Sequence, residues 1–211
     1  MDRRRMMVKQ GRLPSGYQEV EYIKTDGKSW INTGVIGATG ISGELEIYTI
    51  SSADGCYLGS RDDSGSSRFY IPTIYSNRYD FAFGGDNLDG NVRLNEKVNI
   101  KTIYNGNTYD CYIDDVPVKT KLSGFITHYP LFLFSANRYG SPNSYAPSET
   151  RCYVCILIDE NHSKLRELIP CFRKSDYVIG MYDICGSICP LTNTPFYINA
   201  GTGAFTAGPS V

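Results

Sequence analysis

Glu167-Leu168-Ile169-Pro170-Cys171-Phe172-Arg173-Lys174-Ser175-Asp176-Tyr177-Val178-Ile179-Gly180-Met181-Tyr182-Asp183 is the stretch on which the fold turns. A cysteine-containing loop follows, and then Pro195-Phe196-Tyr197-Ile198-Asn199-Ala200-Gly201-Thr202-Gly203. Tyr177-Val178-Ile179 and Phe196-Tyr197-Ile198 are too short for helices and are rich in strand formers. Proline lacks the amide donor and clashes with the preceding turn, so Ile169-Pro170 does not fit mid-helix. The segment reads as the closing strands of a β-sheet protein. It holds no nucleophile–base pair and no metal-ligand set.

The same punctuation runs upstream. Tyr17 to Lys24 alternates, with Val20 and Tyr22 on one face and Glu19 and Glu21 on the other. Glu44 to Ile50 repeats the pattern with Leu45 and Ile47. Val98 to Tyr104 and Thr108 to Asp114 flank Asn105-Gly106, a hairpin signature in which both turn residues are expected at positive φ. Arg68 to Ile74 and Tyr79 to Phe83 read as strands around Tyr75-Ser76-Asn77-Arg78, and Arg61 to Ser67 reads as a polar hairpin loop. Leu131-Phe132-Leu133-Phe134 is apolar on both faces and predicts a central strand covered on both sides. Ser135 to Ser148 reads as a long loop. About a dozen short strands with frequent turns and almost no helix indicate an antiparallel sandwich or jelly roll.

Composition agrees. The 211 residues suit one domain, here 13–211 behind a basic arm at 1–12, and 13% are aromatic, 17 of them tyrosine. The tyrosines suit either an amphipathic contact surface or cross-strand packing. A net charge of −1 argues against a nucleic-acid surface. No run reaches the ~18 apolar residues of a membrane span. The N-terminus is basic without an apolar core, so no secretory signal is expected. Synthesis in a reducing cytoplasm with free thiols follows as an expectation, and the seven cysteines cannot all pair within one chain.

Leu13-Pro14-Ser15-Gly16-Tyr17-Gln18-Glu19-Val20-Glu21-Tyr22-Ile23 with Trp30-Ile31-Asn32-Thr33-Gly34 resembles the opening of a group of concanavalin A-like (laminin G-like) modules encoded by phages and prophages of gut bacteria. Ile169 to Asp176, Val178 to Asp183 and Phe196 to Gly203 resemble the same group's close. The resemblance covers about residues 13–209. It implies an all-β, two-sheet antiparallel jelly-roll sandwich on a virion surface, adhering to host-surface or mucus glycans. The basic arm at 1–12 reads either as a disordered start or as a docking arm, and the second reading fits an oligomeric module attached to other virion proteins. A purely structural virion subunit and a bacterial surface lectin are the alternatives. Cys185 to Thr194 departs from the group, where a plain short turn is usual.

Enzymatic readings find little support. Glycoside hydrolysis needs two flanking carboxylates, and Glu44 and Glu46 lack the third acid of the related glucanase pattern. His128 and His162 sit in turn-like segments without a partnering cysteine. Cys152 and Cys155 lie in a strand, where an offset of three is expected to put them on opposite faces rather than on one zinc. Cys185 and Cys189 are spaced for a small loop disulfide under oxidant. Asp86 and Asp89 do not meet a calcium-loop pattern. Gly201-Thr202-Gly203 precedes no helix and so is not a phosphate cradle. No catalytic residue, metal or cofactor is therefore expected. Trp30 suits the core better than a sugar platform. Two loops mix aromatic and planar polar groups suited to sugars: Tyr75, Asn77, Arg78 and Tyr79, and Asn137, Arg138 and Tyr139. The same composition also suits ordinary exposed loops.

Overall fold

The computed structural model describes residues 12–62, 68–83, 88–122 and 126–211. Residues 1–11 of the basic arm, Asp86, and residues 63–67 of the Arg61–Ser67 loop lie outside them. Among the described residues all regular structure is β. The first half forms β1 (Tyr17–Glu19), β2 (Ile23–Lys24), β3 (Ile31–Ala38), β4 (Ser42–Tyr48), β5 (Gly55–Cys56), β6 (Leu58–Arg61), β7 (Arg68–Tyr75), β8 (Arg78–Phe83), β9 (Leu88–Asn91) and β10 (Lys97–Tyr104). The second forms β11 (Thr108–Ile113), β12 (Val116–Leu122), β13 (Ile126–Leu133), β14 (Ala136–Arg138), β15 (Ser141–Asn143), β16 (Arg151–Ile158), β17 (Lys164–Arg173), β18 (Ile179–Asp183), β19 (Phe196–Ile198) and β20 (Thr206–Ala207).

The strands make two sheets. The first runs β12-β11-β10-β4-β16-β17-β18-β19, with β1 on β17, β2 on β16 and β20 on β2. The second runs β15-β14-β6-β7-β8-β9, with β13 between β3 and β6 and β5 beside β7. Pairing is antiparallel except for β14 against β6. The expected all-β two-sheet sandwich is thus the fold. Its core lies between the sheets, and the alternation read from sequence supplies it. Leu45 and Ile47 point inward from β4 with Val98 and Ile100 from β10, and Phe69, Phe81 and Phe83 meet them from the second sheet. Burying each such side chain contributes roughly 1.5–3 kcal/mol. Phe83 stacks on Tyr109 across the sheets at 4.0 Å and 4°. Trp30 is a core residue, stacked on Phe132 at 3.9 Å. Leu131 to Phe134 is wholly buried, as its unbroken apolar run requires.

Several local features differ from simple periodicity. Tyr17 to Lys24 is two strands, because the chain leaves β17 after Glu19 and joins β16 at Ile23. Pro170 sits inside β17 where β1 stops pairing, and its carbonyl still accepts from the Val20 amide at 3.0 Å. The Asn105-Gly106 hairpin exists, but only Gly106 has positive φ. Asn105 Oδ1 instead accepts the Thr108 amide at 2.9 Å. Paired positive-φ turns occur at Asp114-Asp115, Ser76-Asn77 and Tyr139-Gly140. Inside the expected loop 135–148, β14 and β15 add an edge to the second sheet.

Cys152 and Cys155 correct another expectation. A register shift between Cys152 and Val154 leaves Tyr153 unmatched, so Cys152 faces Ile47 and Cys155 faces Leu45. A bulge inserts one residue and so converts an odd offset into a shared face. Both thiols are buried. Burial pushes the Cys155 thiol up to about 12. Cys171 is pushed up to about 12 in the same way. Cys185 is exposed and Cys189 is buried, both as free thiols. Under native alkylation at neutral pH, the expected product is a single adduct at Cys185, rising to seven adducts once denaturant opens the core. Intact-mass spectrometry checks this, and native labelling spread over several cysteines contradicts the burial described.

Candidate functional site

The site is built on β7. Strict alternation from Arg68 would carry Thr73 and Tyr75 into the core. A register shift between Tyr70 and Thr73 resets the pleat at Pro72. Phe69, Ile71 and Ile74 then face the core, and Arg68, Tyr70, Thr73 and Tyr75 line the opposite, open face. Pro72 has no amide to leave unpaired there, and its carbonyl accepts the Tyr57 amide at 3.0 Å. On β8 the pleat sends Tyr79 and Phe81 inward and leaves Asp80 and Ala82 on the open face.

The floor is made of small groups. Cys56, Tyr70, Ala82 and Ala136 form a separate buried cluster on this face. Gly59 lies among them. A Cβ there would stand 2.5 Å from Tyr70 Cδ1 and 2.8 Å from Cys56 Sγ, so only glycine lets the Tyr70 ring lie across β6. The result is a depression of about 300 Å³, in the range of small-ligand sites. Arg61 and Arg68 stand at one end, paired directly across β6 and β7. Tyr75, Asp54 and Ser144 stand at the other, with Thr73 opposite Asp80 between them.

Its electrostatics follow from burial. Asp80 is only 3% exposed. Burial raises the Cys56 thiol above its usual range, and the Asp80 charge adds to that, so Cys56 is an inert floor group. Burial also pushes the Tyr70 hydroxyl up to about 12, against the opposing effect of its contacts with Arg61 and the charge of Arg68. Tyr70 is therefore a neutral hydroxyl at physiological pH. Arg61 Nε is buried without a hydrogen-bond partner. Asp54 Oδ1 accepts the Ser76 amide at 2.9 Å, which ties the β7–β8 turn to the rim.

The residues expected from sequence divide around this depression. Tyr75 is on its rim, 55% exposed. Asn77 serves the turn at φ 61, and its carbonyl accepts the Val92 amide. Arg78 is exposed just beyond. Tyr79 is a correction: it is 0% exposed and points into the core beside Tyr57, where no ligand reaches it. Asn137 is a second correction. It is wholly buried, its Nδ2 donating to the Pro130 carbonyl at 2.8 Å and its Oδ1 accepting the Gly140 amide at 2.9 Å. Arg138 pairs with Arg61 in register, one strand further out. Tyr139 is part-exposed at the β14–β15 turn and packs edge-on against Tyr129. The reading from sequence missed Arg61, Arg68, Tyr70, Thr73 and Asp80. The signal was present for two of them: Arg61 and Arg68 flank the polar loop symmetrically, so a hairpin must set them side by side.

Elsewhere the chemistry is spent or solvated. Glu46 pairs with Lys97 at 3.0 Å, and Glu44 accepts from Asn99 at 2.8 Å on the outer face of the first sheet. His128 is exposed beside Asp62 at 3.0 Å. Among the described residues no group of three His, Cys, Asp or Glu side chains could hold a metal ion. A wider depression of about 610 Å³ lies between Asn105-Gly106 and Glu160–His162, and its polar walls are exposed turn residues.

Fold and depression together define the class: a two-sheet antiparallel β-sandwich with a polar, tyrosine-bearing cleft on one open sheet face. No protein-family model and no curated protein matches the chain. Among solved structures, a candidate carbohydrate-binding protein from Bacteroides ovatus matches with a TM-score of 0.52 at 10% identity, over 90% of this chain and 60% of that one. This chain thus spans about three-fifths of that protein's length. The carbohydrate-binding module CBM66 from Bacillus subtilis matches over 64% of this chain and 94% of that one, with a TM-score of 0.34 and 16% identity. At 10% identity the likeness to the Bacteroides ovatus protein is one of fold.

Proposed function

We propose that the protein is a non-enzymatic, lectin-like carbohydrate-binding module whose ligand lies in the depression over β6, β7 and β8. The observation that carries this reading is the open face itself: a glycine-opened floor, an exposed tyrosine and converging guanidinium, carboxylate and hydroxyl groups. Sugars are bound by just such planar polar groups beside aromatic surface, and among the described residues no reactive pair accompanies them. The sandwich shared with the Bacteroides ovatus protein supports the same reading. Display on a phage or prophage particle, for adhesion to host-surface or mucus glycans, is the proposed setting. It is supported by the likeness of Leu13–Gly34 and Ile169–Gly203 to phage-encoded modules.

A glycan array tests the binding. Wild-type protein is expected to retain bacterial or mucin-type glycans, and Tyr75→Ala is expected to weaken retention roughly tenfold by removing aromatic surface at the rim. Tyr177→Ala, which alters an exposed tyrosine in the β17–β18 turn, is expected to change nothing. Equal loss in both variants, or no retention by the wild type, would overturn the assignment and favour a purely structural role.

A further inference from the structure

The Tyr75 end of the depression is assembled from three separate segments. Across β5 and β7, Cys56 faces Thr73 and Gly55 faces Ile74. Continued by one residue, that register sets Asp54 opposite Tyr75. Side chains alternate along a strand, so both stand on the open face with Cys56 and Thr73. Cβ atoms of such cross-strand neighbours lie about 5 Å apart. The chain then turns through Ser76 and Asn77, both at positive φ, and the Ser76 amide donates to Asp54 Oδ1 at 2.9 Å. That bond orients the carboxylate. Asp54 Oδ2 takes no hydrogen bond and no ion pair among the described residues. The Tyr75 ring, 55% exposed, likewise makes no ring contact or hydrogen bond among them. The third segment is Ser144 to Pro147. A Cβ on Gly55 would stand 2.3 Å from the Tyr145 carbonyl oxygen, so glycine lets this segment cross β5. The Ser144 carbonyl accepts the Cys56 amide at 3.0 Å, which places Ser144 on the same rim.

We propose, resting on the glycan-binding reading, that this end binds a neutral sugar unit through two adjacent hydroxyls, with Asp54 as the residue that sets specificity. A carboxylate accepts and does not donate, so its partner must bring the hydrogens. One hydroxyl donates to Asp54 Oδ2 and its neighbour to the remaining lone pair of Oδ1. The C–H face of the same ring lies on Tyr75, and the Ser144 hydroxyl borders it. An acid group on that unit would meet the Asp54 carboxylate as a like charge. The sugar bound here therefore carries free vicinal hydroxyls and no charge.

The test uses four immobilised neutral glycans: mannan, galactan, dextran and sialidase-treated mucin. Each is presented intact and after periodate oxidation with borohydride reduction, which cleaves vicinal diols. At least one intact glycan is expected to bind, and its oxidised form to bind at least about tenfold more weakly, as two charge-assisted bonds are lost. Binding is expected to change less than about twofold in 0.5 M salt, since no ion pair forms. Asp54→Asn keeps an oxygen for the Ser76 amide but puts a donor in place of the free acceptor. It is expected to weaken binding roughly tenfold with an unchanged near-ultraviolet circular dichroism spectrum and Tm. A purely structural Asp54 would instead leave binding intact in this variant. Binding that survives oxidation overturns the diol contact and leaves the glycan reading standing. So does full binding in Asp54→Asn when Tyr75→Ala still weakens it. Silence on all four glycans brings down both readings.

Discussion

Tyr109→Ala is expected to lower the unfolding free energy by about 3–5 kcal/mol, the range for removing a large aromatic from a packed core. Tyr109 is fully buried and joins the two sheets: its ring stacks on Phe83 and meets Phe69 edge-on. Its hydroxyl accepts the Gly40 amide at 2.9 Å and donates to the Ala38 carbonyl at 3.3 Å, fastening the turn after β3. Alanine opens a cavity between the sheets and strands both backbone groups. Tyr109→Phe separates the two effects. It keeps the stack and is expected to cost about 1–3 kcal/mol for the buried amide left without an acceptor. Urea unfolding followed by tryptophan fluorescence measures both, since Trp30 lies in the same core. A cost below about 1 kcal/mol for the alanine variant would show that the sheets are held together elsewhere.

The second large effect is expected at Asp183, the last residue of β18. It has no exposed surface. One carboxylate oxygen accepts the amides of Glu167 at 2.9 Å and Cys185 at 3.0 Å. The other lies 3.8 Å from Arg166 Nε. Arg166 in turn donates to the Thr33 carbonyl at 2.9 Å. Asp183 thus anchors the start of the Cys185–Thr194 loop to β17 and, through Arg166, to β3. Asp183→Ala removes one partner of a buried ion pair and leaves two amides unsatisfied, which costs about 3–5 kcal/mol. Asp183→Asn retains an acceptor and is expected to lose less. Hydrogen exchange adds a local readout: the amides of Glu167 and Cys185 should lose protection in the alanine variant before the β4 amides do. Unchanged protection there would exclude the anchoring role.

Much of the architecture was legible because one face of most strands is buried. Leu45 and Ile47 alternate with Glu44 and Glu46, and no other register hides the first pair while wetting the second. The site was legible only in part. Tyr75 and Arg78 follow from the turn they flank, but Tyr79 looked like its neighbours until the pleat turned it inward. The bulges at Pro72 and Tyr153 leave no compositional mark, and each reverses the facing of everything after it. β14 escaped notice because three residues cannot display a period, and its partner β6 is distant in sequence and parallel to it.

Val20 bridges Ser210, the Val211 amide donates to the Glu19 carbonyl, and Gln18 Nε2 reaches the Val211 carbonyl. Arg12 and Val211 border one small hollow on the first sheet. In topological terms the domain is a ring with a narrow gap. A short peptide could close that gap, and new ends could be cut at the exposed Asn105–Asn107 turn without disturbing a core contact. The same closeness means that anything joined at both ends would hold the module by one flank. The cleft on the opposite sheet would then be presented outward, in the manner of a blade set in a handle.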